Sequence, residues 1–444
     1  MRRVLSAGVF LDRINFILPL IVKLLFEGIY VFKYSPYWSY IGATFTPNYL
    51  KALLSWIIAV LFLSFAGLCT KGKLSTLFGI FVNISVVSSL SIYWLKDESS
   101  IAFGQIVLYW LIYFFCTYVL SMKEASWGKG RGGEELGHFI PAGGNPLLFV
   151  LYLWVVATTL YFSICYGDGR LFIPLEDVYT YRLSGLRLGR FEGYIFAWNT
   201  NAFIPLFLAF HLLHSKKLLV CSDVLLMMLS YGVLGNKSML MCVPLVFAVF
   251  VIGKVGILKY LANIIGIFVV VYLCMSFFIP SKMFVALGDR IINGPAAGHY
   301  NYYDFFSSTE HPFLYLRESV LRIFARSPYE YPVSEIIGSS ADYYSGQYNN
   351  MTNGLFSIAY ANFGLAGVFI QPIMIVGSYF VFIRLLREYN DVVVYTLLSV
   401  HALYFLSASF FSWLLTGGGV LVVFVLLLSK RFDRQYLLKI KCCK

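Results

Sequence analysis

The feature that most constrains this chain is the recurrence of apolar blocks about 20 residues long. A helix needs about that length to cross roughly 30 Å of hydrocarbon. Twelve spans are predicted, at 14–32, 50–70, 74–95, 101–121, 147–166, 195–213, 218–234, 239–253, 258–280, 354–383, 391–411 and 413–429. In lipid, every backbone amide must be satisfied within its own segment, so the expected fold is an all-α polytopic membrane protein. Charged residues make up only 13% of the 444, against about 25% in a soluble domain. The whole of 1–444 therefore reads as a single membrane domain.

Lysine and arginine orient the spans. With the N-terminus in the cytoplasm, 20 of the 34 basic residues fall inside, including the tail from Lys430. Outside, the short loops and span ends carry only Lys33, Lys51, Lys96 and Lys237. The other nine external basic residues all fall in two long loops, 167–194 and 281–353. Both termini are thus expected in the cytoplasm and both long loops outside. Topology accounts for the net charge of +12, and nucleic acid is not an expected partner. Within the first span, Lys23 and Glu27 stand four apart on one helix face and are expected to pair against protein. The eight cysteines avoid the long loops, so no disulfide framework is expected. The cytoplasmic run Gly128–Gly133 lacks the spacing of a phosphate loop and reads as a linker.

Chemistry is expected in the external loops. The first contains Tyr181-Arg182, Arg187 and Arg190, three arginines within nine residues on the side where the charge rule disfavours them. A guanidinium fork matches phosphate oxygens, so these residues are candidates for a lipid diphosphate. The competing reading is ion pairing with Asp168, Glu176, Asp177 or Glu192, or contact with anionic headgroups. The second loop is rich in tyrosine and phenylalanine, and carries Arg290, Arg317, Arg322 and Arg326. Its stretch 312–326 has helical apolar spacing and is expected to form an amphipathic helix. Tyr315 lies there, and flat rings with polar neighbours suit sugar faces. His311 and the preceding Glu310 are candidate bases, with His299 as another. Lys237 stands in the tight break Gly235-Asn236-Lys237-Ser238 and is a candidate ligand for the same anion. His211 and His214, three apart, lack a third metal ligand nearby in sequence.

These features together resemble the Wzy class of O-antigen or oligosaccharide repeat-unit polymerases. The span count and the two enlarged outer loops separated by four spans match. An Arg-x10-Gly pattern runs from Arg182 to Gly193, and a near match one residue longer runs from Arg326 to Gly338. The Gly-Asn-Lys-Ser break and the run from Asn353-Gly354 to Phe363-Gly364-Leu365-Ala366-Gly367 also look like the class. The resemblance implies a membrane glycosyltransferase of the bacterial inner membrane, working at the periplasmic face on undecaprenyl-diphosphate-linked glycans. Arg182 and Arg187 would stabilise the departing diphosphate, with Arg190, Lys237, Arg290, Arg317, Arg322, Tyr181 and Tyr315 binding diphosphate or glycan. His311 or Glu310 would be the base. A diphosphate is already a good leaving group, so neither metal nor nucleotide cofactor is implied; a chain-length regulator is an implied partner. The rivals are an O-antigen ligase using the same donor and a lipid-linked glycan flippase. A flippase would carry charge within several spans and repeat symmetry between its halves.

Overall fold

A computed structural model describes residues 17–39, 42–66, 72–126, 139, 145–174, 177–178, 181, 188–279, 281–319, 321, 324–341, 351 and 354–442. The fold is almost entirely helical. The helices are α1 (Ile17–Ile29), α2 (Tyr49–Ala66), α3 (Lys73–Phe81), α4 (Val87–Leu95), α5 (Ser100–Ser126) and α6 (Pro146–Gly167). Next come α7 (Arg190–Trp198), α8 (Ile204–Leu213), α9 (Lys217–Leu234), α10 (Lys237–Val255), α11 (Leu261–Phe278), α12 (Lys282–Gly288) and α13 (Gly294–Ser307). The last are α14 (Val333–Ala341), α15 (Phe356–Phe363), α16 (Leu365–Leu385), α17 (Asp391–Phe405), α18 (Phe410–Leu414) and α19 (Gly419–Cys442). Single π-helical turns bridge α3 to α4 at Val82–Val86 and α7 to α8 at Asn199–Phe203. Pro205, which has no amide hydrogen to give, stands just beyond the second of these turns, where α8 begins.

Among the described residues, nine helices are long and apolar enough to cross a membrane, and Tyr49–Ser64 and Asp391–Phe405 are shorter apolar helices. The expectation of an all-α polytopic membrane protein is met at that level. The chain packs as two compact units, each assembled from separated stretches of sequence. Unit 1 comprises 1–127, 259–380 and 405–411; unit 2 comprises 128–258, 381–404 and 412–444.

In unit 1, the α3–α4 span is the most enclosed, with 94% of its apolar window buried. It carries small polar residues because its neighbours offer partners for them. Asn83 donates to Ala262 O at 3.2 Å, tying α11 to the π-turn. Lys23 and Glu27 pair, as their spacing suggested. Lys23 is fully buried and also donates to Ser55 Oγ (2.9 Å) and Ser91 Oγ (3.1 Å). Glu27 accepts from the indoles of Trp56 (3.2 Å) and Trp94 (2.8 Å). Both charges are thus ringed by hydrogen-bonding groups from α2 and α4, the condition under which a buried pair is tolerated.

Three expectations need correction. First, the 354–383 block, whose length allowed a tilted span or an interfacial turn, is two helices. Gly364 adopts φ +54 and ends α15, and α16 starts at once. The chain then turns so tightly that a Cβ on Gly367 would stand 2.0 Å from Ala359 O. Second, the start of the 281–353 loop does not lie beyond the helix ends. The Tyr272 hydroxyl accepts from Gly288 N at 2.7 Å and donates to Phe284 O. His299 Nδ1 meets Ser89 Oγ at 2.9 Å, and Tyr300 donates to Ser89 O at 2.9 Å. Ser89 lies six residues before the end of α4, about 9 Å along the helix axis. The segment 282–307 therefore runs back along the spanning helices, with Ala296, His299, Tyr300 and Tyr302 buried. Third, 312–326 is not an amphipathic helix. Tyr315 and Leu316 take φ of 46° and 63°, which a helix does not admit. Their amides are drawn elsewhere: Leu314 N and Tyr315 N donate to Ala361 O (2.9 Å) and Asn362 O (3.3 Å). Leu316 N donates to Asn362 Oδ1 at 2.7 Å.

In unit 2, Asn145 caps α6 by accepting from Leu148 N, and its amide donates to Ser429 O (2.9 Å) and Asp433 Oδ1 (2.8 Å) of α19. Asn199 in the π-turn donates to Thr158 Oγ1 of α6 at 2.8 Å.

Candidate functional site

The end of unit 2 at which α6 finishes holds Tyr181 and the helix starts that carry Arg190 and Lys237. The chain leaves α6 through Asp168, at φ 51°, and folds back over the break between α9 and α10. A Cβ on Gly232 would stand 1.8 Å from Arg170 O, so only glycine allows this approach. Tyr231 donates to Ile173 O at 2.8 Å, and Ile173, Val178 and Tyr231 form a buried cluster against which Tyr181 and Leu240 pack. The Tyr181 hydroxyl lies 3.2 Å from Tyr166 O and 3.1 Å from Gly232 O. Burial pushes its phenol above the ordinary range. Tyr181 is therefore a tie between loop and break, while Arg170 lies over its ring at 5.6 Å and within 3.5 Å of Asp168. Sequence reasoning placed Arg170 in the loop but did not single it out.

Two helices begin at this end, and each opens on a base. Arg190 is the first residue of α7, capped by Gly189, and Lys237 is the first of α10, capped by Asn236. A helix N-terminus carries about half a positive charge, so a cation there is disfavoured by about 0.3–1 kcal/mol and an anion is favoured. The first turn of α10 holds no acid. The first turn of α7 holds Glu192, whose carboxylate accepts from Tyr166 (2.6 Å), Tyr161 (3.3 Å) and Gly189 N (2.8 Å). Those donors come from α6 and the helix cap, and they account for Glu192 without an arginine partner. Arg182 and Arg187 lie outside the described residues, as do Gly128–Gly133 and Arg322.

Unit 1 holds the base candidates. Arg290 lies in the π-turn Asp289–Asn293 that precedes α13. Further on, His311 stacks flat on Phe305, with ring centroids 3.9 Å apart and planes at 6°. Glu310 beside it is exposed. Arg317 lies over the Tyr315 ring at 5.9 Å, and Tyr315 meets Phe363 at 6.2 Å. His299 is fully buried in the unit core, and its Nε2 has no hydrogen-bond partner among the described residues. Sequence reasoning missed Asp304, one turn on from Tyr300 on α13. Burial and the nearby Glu98 push its carboxyl up to about 6, against the pull of Lys96. Lys96 and Glu98 pair at 2.8 Å beside it. The signal was hidden because Glu98 and Asp304 are over 200 residues apart in the chain.

His211 and His214 have the third neighbour that sequence spacing did not show: Asp223 of α9 meets His211 Nδ1 at 2.6 Å. Among the described residues, no group of three such side chains is placed to hold a metal ion.

Comparison of the chain with protein-family models, with curated proteins and with solved structures gave no match.

Proposed function

We propose that this protein is a membrane glycosyltransferase that polymerises undecaprenyl-diphosphate-linked oligosaccharide repeat units at the periplasmic face of a bacterial inner membrane. The observation that carries this reading is the pair of cations at helix N-termini, Arg190 and Lys237, on one end of unit 2. A base that opens a helix works against the helix dipole unless an anion joins it; α7 has Glu192 in its first turn, whereas α10 has no acid there. Arg170, Arg182 and Arg187 belong to the loop 167–194 that also carries Arg190. A diphosphate supplies the anion with two phosphates for several donors. The charge distribution supports twelve crossings with both termini cytoplasmic: the nine long helices, the two shorter ones, and α1 with its continuation to Trp38.

In the reaction, an acceptor sugar hydroxyl attacks the anomeric carbon of the donor. The new C–O bond forms as the anomeric carbon–diphosphate bond breaks. The hydroxyl proton passes to a general base, for which Glu310, His311 and Asp304 are the candidates. The electron pair leaves with the diphosphate, where the arginines and Lys237 stabilise the growing charge.

The test is reconstitution in vesicles with a lipid-linked repeat unit, following release of undecaprenyl diphosphate and the ladder of products. Polymer from the wild type and none from Lys237→Ala is the expected outcome. Transbilayer movement of the glycolipid with no bond formed would instead identify a flippase, and a single transfer onto lipid A core would identify a ligase.

A further inference from the structure

The segment 315–331 of unit 1 exposes apolar and basic side chains together. Phe324 is 83% exposed, Tyr331 60%, Tyr315 48% and Leu321 39%. Arg326 is exposed, and Arg317 is half-buried over Tyr315. The acid between these arginines is turned inward: Glu318 accepts from Val333 N at 3.0 Å and from Ser327 Oγ at 3.4 Å. Among the described residues of 315–326, the exposed side is therefore basic and apolar.

Its place in the unit is fixed by the bonds from Leu314, Tyr315 and Leu316 to Ala361 and Asn362, at the corner where α15 ends. At that corner α16 starts, and its outward residues Leu365, Phe369, Ile370 and Ile373 are about half exposed. They recur at helical spacing and form the apolar stripe of a spanning helix. The aromatic and basic segment is thus pinned to the rim of a face that meets lipid. The Tyr329 hydroxyl, donating to Pro312 O at 2.7 Å, closes the segment back on its start. This closure holds a shape that a helix-like periodicity alone would not.

We infer that 315–331 is a binding surface for anionic phospholipid headgroups, with Phe324 and Leu321 in the acyl boundary and Arg317 and Arg326 on the phosphates. Aromatic side chains settle at the interface because one end is apolar and the other wet. Basic residues near an anionic surface add about fivefold each in affinity. The inward turn of Glu318 leaves Glu330, four residues beyond Arg326, as the exposed acid of the segment. This surface does not rest on glycosyl transfer, and it gives Arg317 and Tyr315 to lipid instead of to the glycan.

The experiment places a nitroxide at Phe324→Cys in a cysteine-free background, with Ser307→Cys as a water-side control. Protein is reconstituted in nanodiscs of phosphatidylcholine alone or with phosphatidylglycerol. Collision with oxygen and with a nickel chelate reports depth. Position 324 is expected to favour oxygen in the presence of phosphatidylglycerol, and to move outward in Arg317→Gln/Arg326→Gln. A 324 label as water-exposed as the 307 control in both lipids overturns the inference. So does a depth that responds neither to phosphatidylglycerol nor to the arginines. Should the cysteine-free protein not fold, native mass spectrometry of the otherwise wild-type chain decides: the double glutamine variant is expected to retain phosphatidylglycerol about 25-fold more weakly. Equal retention refutes the surface.

Discussion

Breaking the Lys23–Glu27 pair offers a test whose size follows from the structure. Glu27→Gln keeps an acceptor for one of the two indoles, Trp56 or Trp94, and leaves the Lys23 charge with Ser55, Ser91 and the face of the Trp56 ring. Removing one member of a buried pair costs about 3–5 kcal/mol. Neutralisation sets a ceiling: discharging a free lysine at pH 7 costs about 4.6 kcal/mol, and protonating a free glutamate about 3.7 kcal/mol. Glu27→Gln is therefore expected to lose up to about 4.6 kcal/mol, and Lys23→Met up to about 3.7 kcal/mol. The double variant buries no charge and should lose less than either single change, about 1–2 kcal/mol of hydrogen bonding. Unfolding of the detergent-solubilised protein, followed by scanning fluorimetry and by denaturant titration, measures each loss. A double variant that merely sums the singles would refute the reasoning.

Other outcomes follow from the two rims. Asn362→Ala removes the acceptor of Leu316 N and is expected to cost about 1–3 kcal/mol; limited proteolysis within 312–331 should accelerate, and an unchanged cleavage rate would count against the anchoring. Gly232→Ala places a methyl 1.8 Å from Arg170 O and should lift the 168–178 loop from the α9–α10 break; hydrogen exchange at Ile173 would report it. The Asp304 carboxyl sits at about 6, above its ordinary 3.8, so the folded state holds this proton more tightly than the unfolded state does. That contribution is complete below about pH 4 and is lost as pH rises through about 6. Asp304→Asn should flatten stability across that window, and, if Asp304 is the base, should abolish the rise in transfer rate through pH 6. Tyr181→Phe should cost about 0.5–1.5 kcal/mol without a change in chemistry, whereas Lys237→Ala should stop it.

The spans were legible because hydropathy over 20 residues reports a requirement of the solvent, not of the neighbours. Lys23 and Glu27 were legible for the same reason: two charges in hydrocarbon must find each other, and four residues is the helical reach. The segment 282–307 was not legible. Its glycines, tyrosines and His299 read as a polar loop, and only the serines of a distant span make their burial tolerable. The stretch 312–326 had the right apolar period, but period counts side chains and ignores amides. Ala361 and Asn362 offered those amides better partners than a helix did. The cations at 190 and 237 could be named from sequence as misplaced charges. That each opens a helix beside the end of α6 depended on where four helix ends meet, which no local pattern records.

Ser89 bonds His299 across 210 positions of chain, and the α3–α4 span that carries it is almost wholly enclosed. During synthesis this has a cost in waiting. A ribosome must add the whole stretch 128–258, which belongs to the other unit, before α11 and α13 emerge to cover that span. Until then a span with five serines and Asn83 stands in the bilayer without those partners. Anything that shelters residues 73–95 over that interval is expected to raise the yield of mature protein more than a change in the hydrophobicity of any single span.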